Sequence, residues 1–525
     1  MQPSSSAVSN IAHFLTKNAA RLPDHPAIIW GDQSWTWSEL DARVSALAAG
    51  MRAELGIGKG ARILLQLPNG NEITEVMLAA YRLGAIWVPT NFRQAPGEIA
   101  YAAEKSRADV MICDPAYGAH ARAAREAAPS LSNVICTGDS DFGLPYEKLI
   151  ARHMGTHVKN TAVDYHDPCW LFFTSGSTGK PKAVVLTHGQ IGFTIVNHSA
   201  DLMPGTTEQD ASLVIAPLSH GAGMHQMVQL ATGTASVLMP SGAFDPAVAW
   251  QLIEQHQVSN LFSVPTILKM MVEHPAIDQF DHTSLRHVIY AGAPMYREDQ
   301  SLALQKIGLV LVQYYGLGEV TGAITVLRPQ DHVIGDDAPE RAGTCGVERM
   351  GVEVSIQDED GTDLPPGTAG EICVKGLSVC CGYLEDDAAN AKSFRNGWFL
   401  TGDIGYLDEN RYLYISGRVS DMYISGGSNV YPREVEEVLL THPALSEVAI
   451  FGIPDEKWGE VGLAVLVTSS GQDVSEETLR AYLQPQLSRY KQPARYLFLD
   501  EMPKTAYGKV TKKFLRDVLT ERGVL

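Results

Sequence analysis

The sequence predicts an α/β protein: a large N-terminal domain of stacked βα subdomains ending in a small β-barrel-like region, followed by a small α+β C-terminal domain. Three observations predict it. The 525 residues exceed the size at which one hydrophobic core stops growing, so a large and a smaller domain are expected. Short apolar runs alternate with amphipathic stretches from about Ile28 onward, the rhythm of βα units and parallel sheets. After Gly370 the texture changes to short β-rich pieces separated by Gly, Asn and Asp.

In chain order, a helix-like stretch near Glu39 to Leu55 precedes the strand-like Ile63 to Leu67, and a helical pattern follows near Glu72 to Leu83. The apolar runs Ala235 to Met239, Asn260 to Val264 and His287 to Ala291 repeat the pattern and imply a second βα subdomain. Glu371 to Lys375 and Tyr412 to Ser416 read as barrel or hairpin strands. Beyond a charged turn at Ser416 to Asp421, strands Val448 to Gly452 and Gly462 to Thr468 and helices Pro432 to Thr441 and Ser475 to Leu487 form the last unit. The boundary falls at Ser420, giving domains 1–419 and 420–525.

With 45% hydrophobic and 19% charged residues the chain is not a disordered one. Its 41 Lys+Arg against 60 Asp+Glu give a net charge of -19, which repels polyanions and excludes nucleic acid and anionic membrane as main partners. The seven cysteines are scattered and lack paired metal-ligand spacing, so reduced, structural thiols are expected. Met1 to Asn18 has no basic region followed by an apolar stretch, and no apolar run reaches ~18 residues. A cytoplasmic protein without integral membrane association is expected.

Between the strand-like runs Cys169 to Phe173 and Ala183 to Leu186 lies Thr174-Ser175-Gly176-Ser177-Thr178-Gly179-Lys180-Pro181-Lys182. Hydroxyls, glycines and lysines at this density can present N–H groups, O–H donors and positive charge to phosphate; a polar hairpin turn is the plainer alternative. A Walker A loop is excluded because Thr174 stands where its first Gly is needed, and a nucleophile elbow because Ser175 stands two residues before Ser177.

This loop resembles the signature of the adenylate-forming superfamily, which includes acyl-CoA synthetases, peptide-synthetase adenylation domains and luciferases. The resemblance extends over essentially the whole chain and is strongest to fatty-acyl and aryl or coumaroyl CoA ligases. It implies that Thr174, Ser175, Gly176, Ser177, Thr178, Gly179 and Lys182 hold ATP phosphates. The segment Tyr290 to Met295 resembles the lining of the adenine and acyl pockets, through Gly292, Ala293 and Pro294. Gln313-Tyr314-Tyr315-Gly316-Leu317-Gly318-Glu319 is similar to the motif whose Tyr stacks on adenine and whose Glu binds Mg²⁺, so Glu319, with Thr174, is the expected metal site. Trp398 to Asp403 resembles the ribose motif; Asp403 would accept from both ribose hydroxyls, with Arg418 as the second ligand.

The resemblance also implies motion, with the C-terminal domain turning about a hinge at Ser420 between two half-reactions. Gly426 and Gly427, in Ile424 to Pro432, would meet the pantetheine arm of coenzyme A. Lys509, in Pro503 to Lys509, would bridge carboxylate and α-phosphate during adenylation. ATP, Mg²⁺, coenzyme A and a carboxylic acid are the implied ligands. A homodimer and a lysine acetyltransferase acting on Lys509 are further partners to consider.

Two positions depart from the family pattern. Gly318 replaces the usual Thr or Ser, which is expected to weaken a phosphate or metal contact or leave it to water, and to widen the acyl pocket. Ser420 replaces the usual hinge Asp or Lys. Pro217 to Met224 resembles the pocket wall, with His220 at the entrance or on the carboxylate, and its small residues suit an aromatic or medium-to-long acid. No Asp lies between Pro217 and Leu230 to pair a substrate ammonium, which counts against an amino acid. A luciferase-like oxygenase, an adenylating enzyme loading another acceptor and a non-turnover acyl or adenylyl-binding protein are the alternatives.

Overall fold

The structure is a computed structural model that describes residues 6–174, 180–240, 244–293, 295, 297–332, 343–426, 428–505 and 510–525. Two large sheets dominate the N-terminal part. The first has seven strands, with Arg62–Gln66 at its centre and the hairpin Pro168–Thr174/Lys182–Thr187 at one edge. The second has nine strands, in which Ala211–Val214, Asn260–Ser263, His287–Tyr290 and Leu311–Tyr315 run parallel side by side.

The helices between the sheets explain their own sequences. Trp37–Leu55 begins at Thr36, whose hydroxyl accepts from the Glu39 amide at 3.2 Å while Glu39 accepts from the Thr36 amide at 2.8 Å. This reciprocal pairing satisfies two of the N–H groups that a helix start leaves open. Gly56, at φ 70°, takes the left-handed cap that ends it. Asn71–Leu83 is buried along nearly its whole circumference, and it shares with Trp37–Leu55 the largest apolar core, which also takes in Trp87, Trp170 and Met227. The sequence rhythm therefore reflects two stacked βα layers around one core.

Residues 352–418 form a five-stranded antiparallel sheet in which Trp398–Leu407 pairs with Gly370–Gly376, Phe394–Arg395 and Leu413–Arg418. A turn at 419–422 leads to the last unit, where the strands Leu445–Asp455 and Gly459–Thr468 pack against the helices Pro432–Leu440, Glu476–Leu483 and Lys512–Glu521. The seven cysteines are free thiols, six buried and Cys381 exposed. No helix among the described residues is long and apolar enough to cross a membrane.

Candidate active site

Parallel strands release their loops at one edge of the sheet, and α/β proteins build sites there. The loop after Ala211–Val214 delivers His220, Asn260–Ser263 carries Phe262, the loop after His287–Tyr290 holds Gly292 and Ala293, and Leu311–Tyr315 leads to Glu319. The hairpin of the other sheet reaches the same place. Its register sets Thr174 opposite Lys182, and Thr174 Oγ1 donates to Glu319 Oε1 at 3.2 Å. Residues 175–179, on which five of the phosphate-binding expectations fall, lie outside the described residues, as do Pro294, Gly427 and Lys509.

Glu319 is buried, and its Oε1 also accepts from the Tyr383 hydroxyl at 3.0 Å. Lys182 Nζ lies 4.7 Å from the centre of the Tyr383 ring. Burial, reinforced by the Glu319 carboxylate, pushes the Tyr383 phenol well above its ordinary value, so it stays a donor. No motif marks Tyr383, which is brought to Glu319 from 64 residues away.

On a second side, Asp403 is buried within the strand Trp398–Leu407, in register with Arg418 of the neighbouring strand. Its Oδ2 accepts from the Tyr315 hydroxyl at 2.5 Å and its Oδ1 from Arg418 Nε at 2.9 Å. The two expected ribose ligands are thus already joined to each other, and Asp403 to Tyr315, one of the two candidate adenine tyrosines. Tyr314 points elsewhere: it is buried, with its hydroxyl 3.4 Å from His225 Nε2. Gln313 lies 3.2 Å from the Tyr290 hydroxyl. Gly316 packs so closely on the Gly322 backbone that a Cβ would sit 2.3 Å from the carbonyl carbon. Gly426 lies under the Trp458 ring, with its amide donating to the Trp458 carbonyl at 2.9 Å.

Gly318 corrects the expectation of a widened pocket. A Cβ there would sit 2.6 Å from Phe172 Cε1 and 3.0 Å from Thr174 Cγ2. The volume that a Thr or Ser side chain would take is filled by the Phe172 ring. That ring also stacks on His220, with centroids 4.5 Å apart and planes at 28°. Strand alternation could not reveal this, since Phe172 and Phe173 read alike as apolar strand residues.

The residues present fit a magnesium ion. Magnesium takes hard oxygens, usually from one or two carboxylates plus substrate phosphates, and Glu319 Oε2 and the Thr174 hydroxyl supply such atoms. A dedicated cage is absent among the described residues, where no three His, Cys, Asp or Glu side chains converge.

A two-layer α/β body ending in a small antiparallel sheet and a separate α+β unit, with its polar groups gathered at the strand ends, defines an adenylate-forming enzyme. The chain belongs to the AMP-binding enzyme family: the family's main domain matches residues 15–384 and its C-terminal domain residues 434–509. It is 35% identical to a feruloyl-CoA synthase of Amycolatopsis over 95% of this chain and 97% of that protein. It is 33% identical to the long-chain-fatty-acid–CoA ligase FadD13 of Mycobacterium tuberculosis over 97% of this chain and 98% of that one. Among solved structures it is similar to o-succinylbenzoate-CoA synthetase of Bacillus subtilis with its acyl-adenylate, at TM-score 0.84 and 30% identity, over 97% and 98% of the two chains. The amide bond synthetase McbA of Marinactinospora thermotolerans gives TM-score 0.87 and 28% identity, over 97% and 99%.

Proposed function

We propose that this acid–thiol ligase activates an aromatic or medium-to-long-chain carboxylic acid with ATP to an acyl-AMP and pyrophosphate, then transfers the acyl group to coenzyme A. The observation that carries the reading is the buried Glu319 carboxylate bonded to Thr174, opposite Lys182 in its hairpin, within a chain whose family match spans both domains. CoA ligases among the relatives support the acceptor.

In the first half-reaction a carboxylate oxygen of the acid forms a bond to the α-phosphorus, and the bond from that phosphorus to the bridging oxygen of pyrophosphate breaks. Magnesium, when bound, would offset phosphate charge beside Glu319. The hairpin loop and Lys182 hold the leaving phosphates, Asp403 and Arg418 the ribose, and Lys509 the charge developing between carboxylate and α-phosphate. In the second, the CoA thiolate attacks the acyl carbon and AMP leaves. No covalent enzyme intermediate is needed. Between the two, the domain from 420 onward turns about Ser420 and brings Gly426 and Gly427 to the pantetheine arm.

Pyrophosphate release with ATP, Mg²⁺ and a panel of fatty, aryl, phenylpropenoic, short-chain and amino acids, with and without CoA and with products identified by mass, tests this. CoA-dependent thioester formation on one class is expected. An acyl-adenylate that forms but goes only to an amine would favour the second reading, an adenylating enzyme with another acceptor, for which the likeness to the amide bond synthetase speaks. Lys509→Ala is expected to lose acyl-AMP formation while still converting supplied acyl-AMP to thioester; equal loss of both steps would remove the role given to Lys509.

A further inference from the structure

The helix Gly221–Thr232 turns three buried polar side chains inward: His225, Gln226 and Gln229. A buried polar atom without a partner is costly, so each asks for an account. Gln226 is satisfied, with its Nε2 2.9 Å and its Oε1 3.2 Å from the Thr74 hydroxyl. Gln229 Nε2 donates to Asn260 Oδ1 at 3.1 Å, but its Oε1 has no partner among the described residues. His225 Nε2 lies 3.4 Å from the Tyr314 hydroxyl, and its Nδ1 likewise has no partner among the described residues. Both side chains line one small cavity with Ser212, Ala222 and Phe262.

The chemistry of these two atoms is complementary. Burial, with Arg349 adding repulsion, pushes the His225 imidazole down to about 3, so the ring is neutral and carries one hydrogen. His225 Nε2 is the one acceptor within reach of the buried Tyr314 hydroxyl among the described residues, which assigns the phenol hydrogen to Nε2 and the imidazole hydrogen to Nδ1. The residues that line the cavity therefore supply one unpartnered donor, Nδ1–H, and one unpartnered acceptor, Gln229 Oε1, which is the pattern a hydroxyl answers with its own lone pair and hydrogen. A second carboxylate fits poorly, because Arg349, the charge that acts on His225, is paired with buried Asp201 at 3.7 Å.

The cavity is also in line with the reacting end. Gly221 abuts Phe262, where a Cβ would be 3.3 Å from Cζ. His220, next to it, stacks on Phe172, and Phe172 lies against Gly318, the neighbour of Glu319. An acid whose carboxylate sits at the Glu319 and His220 end points its far end towards Phe262 and the cavity that ring helps to line.

We propose that the acid activated by this enzyme carries a neutral hydroxyl at the end remote from its carboxylate, held between His225 Nδ1 and Gln229 Oε1. This rests on the ligase reading and narrows it to oxygen-bearing acids, such as hydroxylated aromatic or terminally hydroxylated aliphatic ones. The test compares kcat/KM for matched pairs: 4-hydroxycinnamic against cinnamic acid, and 12-hydroxydodecanoic against dodecanoic acid. A preference of about tenfold or more for the hydroxylated member of one pair is expected, since a site built to bond a hydroxyl leaves its own groups unpaired with the parent acid. Gln229→Leu, checked for an unchanged fold by its thermal midpoint, is expected to bring that ratio towards one. Turnover of both pairs without hydroxyl preference in the unaltered enzyme, or a folded Gln229→Leu variant that keeps the ratio, overturns the proposal and leaves the ligase reading standing. No pyrophosphate release with any of the four acids, nor with the wider panel, brings down the ligase reading and this proposal with it.

Discussion

Phe172 and the side chain that position 318 lacks would occupy the same volume. Gly318→Thr puts a branched Cβ where Phe172 Cε1 would be only 2.6 Å away. Relieving that overlap means moving the ring, and with it the His220 stack and Thr174, the donor to Glu319. Overpacking of this kind costs about 1–3 kcal/mol. Gly318→Thr alone is therefore expected to lower acyl-AMP formation roughly tenfold or more, one factor of ten for each ~1.4 kcal/mol lost at the reacting groups. Phe172→Leu in the same chain makes room, so the double variant is expected to recover most of that loss. ATP–pyrophosphate exchange on the two single variants and the double variant yields the coupling, which should exceed ~0.5 kcal/mol for residues in contact. Gly318→Thr with full activity would show that Phe172 is not held where it lies.

Among the helices, Asn71–Leu83 bears a charge in an unusual place, for Glu75 is completely buried within the core it shares with Trp37–Leu55. Arg43 Nε meets it at 2.7 Å, the Tyr146 hydroxyl at 2.7 Å and Asn71 Nδ2 at 2.9 Å, and Arg43 goes on to Glu147 at 2.6 Å. Removing one partner of a buried pair leaves the other uncompensated, which costs about 3–5 kcal/mol. Arg43→Met is expected to lower the thermal midpoint strongly, whereas Arg43→Met with Glu75→Leu recovers most of it. Stability measured on both variants decides this, and an unchanged midpoint for Arg43→Met would show that Glu75 is not held as a charge. The helix itself was legible in the sequence because its apolar period is local. The strands around it were legible for the same reason, their bounds differing from the sequence reading by a residue or two at sites such as Ala235–Leu238 and His287–Tyr290. Glu319, Asp403, Arg418, Thr174 and Tyr315 could be singled out from their motifs, but Tyr383 and the bond between Tyr315 and Asp403 could not. Tyr383 and Tyr315 reach Glu319 and Asp403 from 64 and 88 residues away, and no local period encodes such pairings. His225 was hidden differently, since nothing local marks which of the polar letters of this helix, His225, Gln226 and Gln229, lack partners once buried.

Across the described residues of the whole molecule, six histidines share one condition. Burial is the first cause in each case: it lowers His188, His287 and His332 to about 4 and His225 to about 3, it puts His198 well below the ordinary value, and it lowers His256 as well. The folded chain therefore refuses protons that the unfolded chain accepts below its own value near 6.5. Stability depends on pH with a slope set by that difference, and it rises with pH wherever the unfolded state binds more protons. The contribution of these rings is thus fully present above pH ~6.5 and is lost as pH falls towards ~4, by up to about 1.4 kcal/mol per pH unit for each ring. Carboxylates whose values are lowered by partners act in the same direction but begin lower, near pH ~4.5. The two contributions separate on the pH axis. Denaturant unfolding at intervals from pH 7.5 to 4.5 is expected to show stability level at the top and falling by several kcal/mol below pH 6.5, before the carboxylates titrate. A level profile down to pH 4.5 would mean that these rings take up protons without unfolding, and for His225 it would remove the neutral ring on which the single Nδ1 hydrogen depends.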